Sequence, residues 1–389
     1  MSVQFKKEDL LEVLKNINTV AVPNGSFTVY KNCKIIKEKE KCTFQACDSE
    51  TSISVGCPFE EIKDKNDETF ECLIDAKQFL LIIQTLEKES LIIFSYNNGD
   101  PKVKIKCNKF KTDIFSQDVQ EFPRIEQNDK SGFSIKMNAK ELCSIVSKLS
   151  PCISDDYTRP IFRGICFCPK KFNNNEDLEF DFIASNGHIL GKVSSCVKGF
   201  GDPLKEQYDN GIIIPSKAVS VISKIFSKNN NDLEIHFMNS HVVFKTENIV
   251  FKTTVIEGSF PKVDMIFSNF DNVTECRLVR QNFLDMLKRA LIYYNNKKNN
   301  GKPIIIELND NEISISTSDE LLGTMMDSME CVYEEEYVKC GFNPKYIESM
   351  FNSLDEDVSS ISISEENEMC LITEVQPLDI KFVVMGMNY

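Results

Sequence analysis

The sequence predicts an α+β chain of three similar modules, each with two helices packed on antiparallel sheets. Three observations carry this. One helix-opening motif is written three times, a second amphipathic helix also recurs three times, and strand-like runs with turn punctuation fill the intervals. Sheets with helices segregated to one face are a stable two-layer solution for that element order.

The amphipathic helix reads FKKEDLLEVLKNI (5–17), MNAKELCSIVSKL (137–149) and VRQNFLDMLKRAL (279–291), with apolar Leu10, Leu142 and Phe283 spaced by 132 and 141 residues. The second reads LIDAKQFLLIIQTL (73–86), IIPSKAVSVISKIF (213–226) and GFNPKYIESMFNSL (341–354), with Lys77, Lys217 and Lys345 spaced by 140 and 128. Asp75 and Asn343 are good N-caps, and Pro215 and Pro344 suit a first helical turn. The period is too long for a solenoid repeat, so the modules are domain-sized. Between the helices, 91–107, 232–246 and 303–317 read as hairpins turning at 97–100, 238–240 and 309–311. Seven to eight strands per module follow. Linkers are expected near 124–132 and 267–275, which sets the modules at 1–127, 128–269 and 270–389.

Composition narrows the function. The 389 residues are 42% hydrophobic, enough for packed cores, and carry a net charge of −14. The 15 cysteines include no CxxC pair, the closest being Cys166 and Cys168, so no metal site is expected. Many lie in apolar runs and read as small buried hydrophobes, and their odd number fits a reducing, cytoplasmic setting. The start is charged and lacks the apolar stretch of a signal peptide. Apolar runs such as 79–83 fall far short of the ~20 residues that span a bilayer. Asn24-Gly25-Ser26 and Asn272-Val273-Thr274 are chance glycosylation triplets in that setting. No phosphate-binding glycine loop or nucleophile elbow is present, His188 is a lone turn histidine, and the acidic runs 334–336 and 355–357 lack calcium-loop spacing. No catalytic residue and no cofactor are expected.

The charge is unevenly placed. The six helical segments together hold +8 and everything else −22. Candidate cations for a phosphate-holding surface are Lys6, Lys7, Lys15, Lys77, Lys140, Lys148, Lys217, Lys224, Lys228, Arg280, Lys288 and Arg289, with Lys297 and Lys298 beyond them. Helices commonly expose lysine to water, but recurrence of the same helix pair suggests one weakly basic surface that holds phosphates without reading sequence.

Local motifs then add a resemblance. RPIFRGICF (159–167), IASNGHILGKVSS (183–195), IIIPSKAV (212–219), VIEGSFPKV (255–263), CGFNPKYIESMFNSL (340–354) and the terminal FVVMGMNY (382–389) follow one another at the spacing of the bacterial DNA polymerase III beta subunits, the beta sliding clamps. The chain resembles that family over essentially its whole length. The resemblance implies three repeated DNA-clamp domains, and two chains closed head to tail into a homodimeric ring around duplex DNA. It also implies a groove for short peptide motifs of the replicative polymerase, the clamp loader and other clamp-binding proteins.

Carried over by position, the groove comprises Arg159, Phe162, Ser185, Gly187, His188, Leu190, Pro261, Met265, Ile266, Val383, Val384, Met385, Gly386 and Met387. Ring closure would use Phe110, Leu291 and Ile292. The sequence departs from the family at Met265 and Ile189, where arginine is usual, at Gly386, where many members have proline, and at the terminal Tyr389. An enzyme with a site between modules, and a protein-binding scaffold that does not encircle DNA, stand as alternatives.

Overall fold

A computed structural model describes residues 2–22, 28–61, 69–125, 133–172, 177–201, 211–228, 231–294, 302–319, 322–366 and 368–388. The glycosylation triplet at 24–26, most of the expected linker at 124–132, Lys297, Lys298 and Tyr389 lie outside these. The helices are α1 (Lys7–Ile17), α2 (Ala76–Thr85), α3 (Ala139–Leu149), α4 (Ser216–Phe226), the five-residue α5 (Asp264–Ser268), α6 (Arg280–Tyr294) and α7 (Pro344–Asn352). Among the described residues, no helix is long and apolar enough to cross a membrane. Among the described residues, the three expected modules hold nine, eight and eight strands, the ninth in the first being the two-residue Glu60–Glu61.

The expected caps form. The Asp75 carboxylate accepts the Gln78 N–H at 2.8 Å and the Asn343 side-chain oxygen accepts that of Lys345 at 3.0 Å, with Pro344 in the first turn of α7. Each satisfies an N–H that the helix leaves orphaned. Pro215 differs: it ends the strand Ile212–Pro215, and α4 opens one residue later. The three hairpins turn where expected. Asp310 and Asn311 both take positive φ, as a two-residue turn between right-twisted strands requires. The short α5 has no counterpart in the sequence reading; it ends two residues into the segment read as a linker.

The chain divides into two compact units. Residues 1–140, 200–202 and 220–255 form the first; 141–199, 203–219 and 256–389 form the second. Strand pairing explains why the middle module is shared. In the first unit, Ile249–Thr254 pairs antiparallel with Thr51–Gly56, so strands of the first two modules run as one ladder. In the second, Ile189–Ser194 pairs with Asp379–Val384, joining strands of the last two modules in the same way.

The first unit also holds a five-stranded sheet in the order Glu60–Glu61, Ser2–Lys6, Leu91–Ser95, Lys102–Cys107, Phe110–Phe115. α1 and α2 pack on each other, with Leu10, Val13, Leu14 and Ile17 as the buried stripe of α1. The core is phenylalanine-rich: Phe5, Phe44, Phe70, Phe79 and Phe94 meet at 5.9–6.3 Å between ring centroids. The second unit repeats the scheme. α6 and α7 pack through Phe283 and Phe351 at 4.8 Å, and α6 lies on the four-stranded sheet Gly323–Glu330, Glu312–Asp319, Ile304–Asn309, Val338–Phe342. Thirteen of the 15 cysteines are buried; Cys168 is half-buried and Cys196 exposed.

Candidate functional site

Strands Asp177–Ser185 and Ile189–Gly201 form a hairpin whose turn is fixed by its own side chains. Asn186 Oδ1 accepts the N–H groups of His188 and Ile189, both at 2.9 Å. Ser185 Oγ donates to the Ile189 carbonyl at 2.8 Å and accepts the Gly187 N–H at 3.1 Å. Gly187 sits at φ +90°, where a side chain would be strained, and Arg159 Nη1 lies 3.2 Å from the space its Cβ would take. The turn leaves His188 exposed, its ring stacked on Tyr346 at 6.2 Å. Among the described residues no group of three His, Cys, Asp or Glu could hold a metal.

The hairpin carries the C-terminal strand. Leu190 pairs with Val383 and Ile189 with Val384, and the Met385 N–H donates to the His188 carbonyl at 2.9 Å. Alternation therefore places Leu190 and Val383 on one face and Val384 on the other. Val384 is fully buried on that second face with Phe382, so it contributes main chain, not side chain, to any groove. This corrects its expected role.

On the Leu190–Val383 face an apolar patch assembles. Cys166, Ile183, Ile213, Phe260, Val263 and Phe270 are buried beneath it, and Phe162, Ile266, Phe267, Met369 and Leu371 are half-exposed against them. Phe162 meets Phe260 edge-on at 5.7 Å. The rim is open: Met265 is 82% and Met385 48% exposed, and Arg159, Pro261 and His188 are exposed beside them. Sequence reasoning missed Phe260, Val263, Met369 and Leu371. Phe260 and Val263 lie within the quoted VIEGSFPKV motif, and Met369 and Leu371 share the period-two register that puts Val383 on this face.

The α5 wall of the patch is braced by ions. Asp181, almost fully buried, takes Lys192 at 2.8 Å and Lys170 at 3.4 Å, and both lysines also reach Asp264 of α5 at 3.8 and 3.7 Å. Burial works against the charge on Lys170, but the carboxylates of Asp181 and Asp264 outweigh it and raise its pKa.

The C-terminal tail explains one departure from the family. The Gly386 N–H donates to the Glu368 carbonyl at 2.6 Å, and the Met387 N–H to that of Gly341 at 2.8 Å. A Cβ on residue 386 would lie 2.6 Å from the Glu368 oxygen, closer than van der Waals contact permits. Proline would clash there and forfeit the donor.

The cations separate into groups. Lys15, Lys77, Lys140, Lys217, Lys224 and Lys228 are exposed on or beside their helices. Lys7 and Lys148 are buried, which corrects their expected outward placement. The Lys7 ammonium donates to the Leu86 carbonyl, and Lys148 donates to that of Ser353 at 2.7 Å and faces Asp355 at 2.9 Å and Glu374 at 3.9 Å. Lys6 closes the first strand on its exposed face, opposite Leu91, and is not a helix residue. Arg280 donates to the carbonyls of Glu356 and Phe351. Lys288 pairs with Asp285 at 2.9 Å and Arg289 with Asp327 at 2.5 Å.

Of the expected interface residues, Phe110 (41% exposed) opens the edge strand of its sheet and Ile292 (66%) is exposed on α6, whereas Leu291 belongs to the buried stripe of α6. Leu291 is corrected to a core residue.

With this geometry in hand, three family models match the chain in order. They are the N-terminal, central and C-terminal domains of the DNA polymerase III beta subunit, over residues 1–126, 136–262 and 268–388. Curated relatives include the beta sliding clamp of Staphylococcus aureus, 21% identical over 364 residues, 92% of this chain and 91% of that one. That of Staphylococcus epidermidis is 22% identical over 363, with the same coverage. Among solved structures, the DNA polymerase sliding clamp of Bacillus subtilis superposes with a TM-score of 0.85 at 19% identity, covering 100% of this chain and 99% of that one. A Pseudomonas aeruginosa sliding clamp bound to griselimycin gives 0.87 at 17%, covering 100% of both.

Proposed function

This chain belongs to the DNA polymerase III beta subunit family, the beta sliding clamps, and from that premise we propose that two copies close head to tail into a ring around duplex DNA. A sliding clamp is non-catalytic. It makes and breaks no bond, and raises processivity by keeping the polymerase on its template. In this reading the three clamp domains run 1–127, 128–269 and 270–389, and the protein works in the cytoplasm.

Among the described residues, two strand edges without a partner support the ring. Phe110–Phe115 ends the five-stranded sheet of the first module and Gly323–Glu330 ends the four-stranded sheet of the third. Open edges of this length template pairing with another chain. The exposed Glu330 on the second edge disfavours its pairing with a second copy of itself, whereas the first edge, with Lys111 and Asp113, carries no net charge. Phe110 and the exposed Ile292 supply apolar surface beside these edges.

The apolar patch is the peptide groove. Its floor is Leu190, Val383, Phe162 and Ile266, its wall α5, and its rim Arg159, Gly187, His188, Pro261, Met265, Met385, Gly386 and Met387; Ser185, expected in the groove, is buried and serves it only by fixing the turn. Apolar anchors of a polymerase, clamp loader or other clamp-binding protein gain affinity by burial there, and the methionines adapt to varied side chains. Lys15, Lys77, Lys140, Lys217, Lys224 and Lys228 contact phosphates without reading bases.

Mass in solution separates the ring from a scaffold that does not encircle DNA. The ring requires a particle near twice the 44.5 kDa chain mass. Phe110→Asp with Ile292→Asp should give a folded monomer that still binds polymerase peptide. A wild-type protein that stays monomeric at micromolar concentration contradicts the proposal.

A further inference from the structure

Away from the helices, one sheet face gathers five lysines, Lys6, Lys102, Lys104, Lys106 and Lys111, against two carboxylates, Asp113 and Glu60. In strand Lys102–Cys107, Val103, Ile105 and Cys107 are buried while Lys102, Lys104 and Lys106 look out from the five-stranded sheet. Register sets Lys106 opposite Lys111 and Lys102 opposite Phe115, and Lys6 lies on the same face opposite Leu91. Lysines on other strands have partners: Lys34 pairs with Glu71 at 2.9 Å, Lys136 with Asp232 at 3.0 Å and Lys339 with Glu307 at 3.0 Å. Among the described residues, no carboxylate comes within 4.0 Å of the ammonium groups of Lys6, Lys104, Lys106 or Lys111, although Asp113 stands opposite Lys104 in register. In a chain of net charge −14, this cluster repels itself until an anion neutralises it. Phe115 is 71% exposed at its margin, with the Lys102 ammonium 4.9 Å above its ring.

We propose that this sheet face binds single-stranded nucleic acid, its lysines taking successive phosphates and Phe115 taking a base. Alternate residues of a strand are about 6.6 Å apart and neighbouring strands about 4.8 Å. Lys102, Lys104 and Lys106 therefore form a straight row whose step suits the phosphates of an extended strand. An exposed ring beside a basic track is the arrangement that stacks bases without regard to sequence. An acidic peptide would satisfy the lysines but leave Phe115 without a partner. The face is distinct from the edge of Phe110–Phe115, so pairing of that edge with a second copy leaves it open. The inference rests on neither ring closure nor the groove.

Fluorescence anisotropy with a labelled 12-nucleotide oligo-dT and the full-length chain tests it. Three to four neutralised phosphates give a slope of log affinity against log salt of about −2 to −3. Lys104→Gln with Lys106→Gln should weaken binding about tenfold and reduce that slope by about 1.4, the share of two phosphates. Phe115→Ala should weaken it about tenfold with the slope unchanged. The melting temperature of each variant, expected to match wild type, separates loss of contact from loss of fold. No oligonucleotide binding by wild type, equal binding by the double variant, or tighter binding of a labelled glutamate-rich 12-residue peptide would each overturn the proposal.

Discussion

Gly386→Pro, which installs the residue common in the family, should destabilise this protein. The Gly386 N–H donates to the Glu368 carbonyl at 2.6 Å, and a Cβ would sit at that same separation from the oxygen. Losing the bond and leaving a carbonyl unsatisfied costs roughly 1–3 kcal/mol. Relieving the clash in a packed strand end costs roughly another 1–3 kcal/mol. Against this, proline restricts the unfolded chain and returns only about 0.4–1 kcal/mol. The net is a loss of about 1–5 kcal/mol, which lowers Tm by roughly 2–20 °C for a folding unit of this size. Gly386→Ala keeps the donor and isolates the clash, so it should lie between wild type and the proline variant. Thermal unfolding read calorimetrically decides it. A proline variant melting at or above wild type would refute the geometric reasoning. Because residues 385–387 border the groove, peptide affinity should fall in the same order as Tm.

Other expectations follow from the same contacts. Lys148→Ala strands the buried Glu374 carboxylate, whose other oxygen already accepts the N–H groups of Asp355 and Glu356 at 2.7 Å. It should cost about 3–5 kcal/mol in denaturant unfolding and leave the salt dependence of DNA retention unchanged. Lys15→Ser with Lys77→Ser should do the reverse, lowering the salt dependence of retention with stability held within about 0.5 kcal/mol. Met265→Ala, on the exposed rim, should leave Tm unchanged and weaken polymerase-peptide binding by about 1 kcal/mol, roughly fivefold by calorimetric titration. Burial pushes the thiols of Cys42 and Cys47 up to about 12 and those of Cys143 and Cys340 to about 11. The native state then keeps protons that the unfolded chain releases near pH 8.5. Stability should be flat below that pH and fall as pH climbs towards 11–12; a Tm constant to pH 10.5 contradicts it.

Much of this was legible in the sequence because local rules and tertiary structure agree. The Asp75 and Asn343 caps and the Asp310-Asn311 turn sit where their chemistry demands. Placing Lys7 and Lys148 outside failed for a reason also present in the sequence. Lys7 stands three and seven residues before Leu10 and Leu14, and Lys148 three after Ile145 and four before Cys152, so both lie on the apolar stripe. Counting helix charge without assigning faces hid this. Leu291 was misplaced in the same way, since Leu287 and Leu284 precede it by four and seven. The split of side chains between Val383 and Val384 needed strand register, which a family motif does not carry. The partners that hold Lys148, Asp355 and Glu374, lie more than 200 residues away and no local pattern joins them.

Encirclement is the central claim, and topology tests it most directly. Load the protein onto nicked circular duplex, wash at high salt, then linearise half of the sample. A closed ring should remain on circles and slide off the cut ends. Equal retention on circular and linear DNA would contradict the ring and leave a protein-binding scaffold in its place.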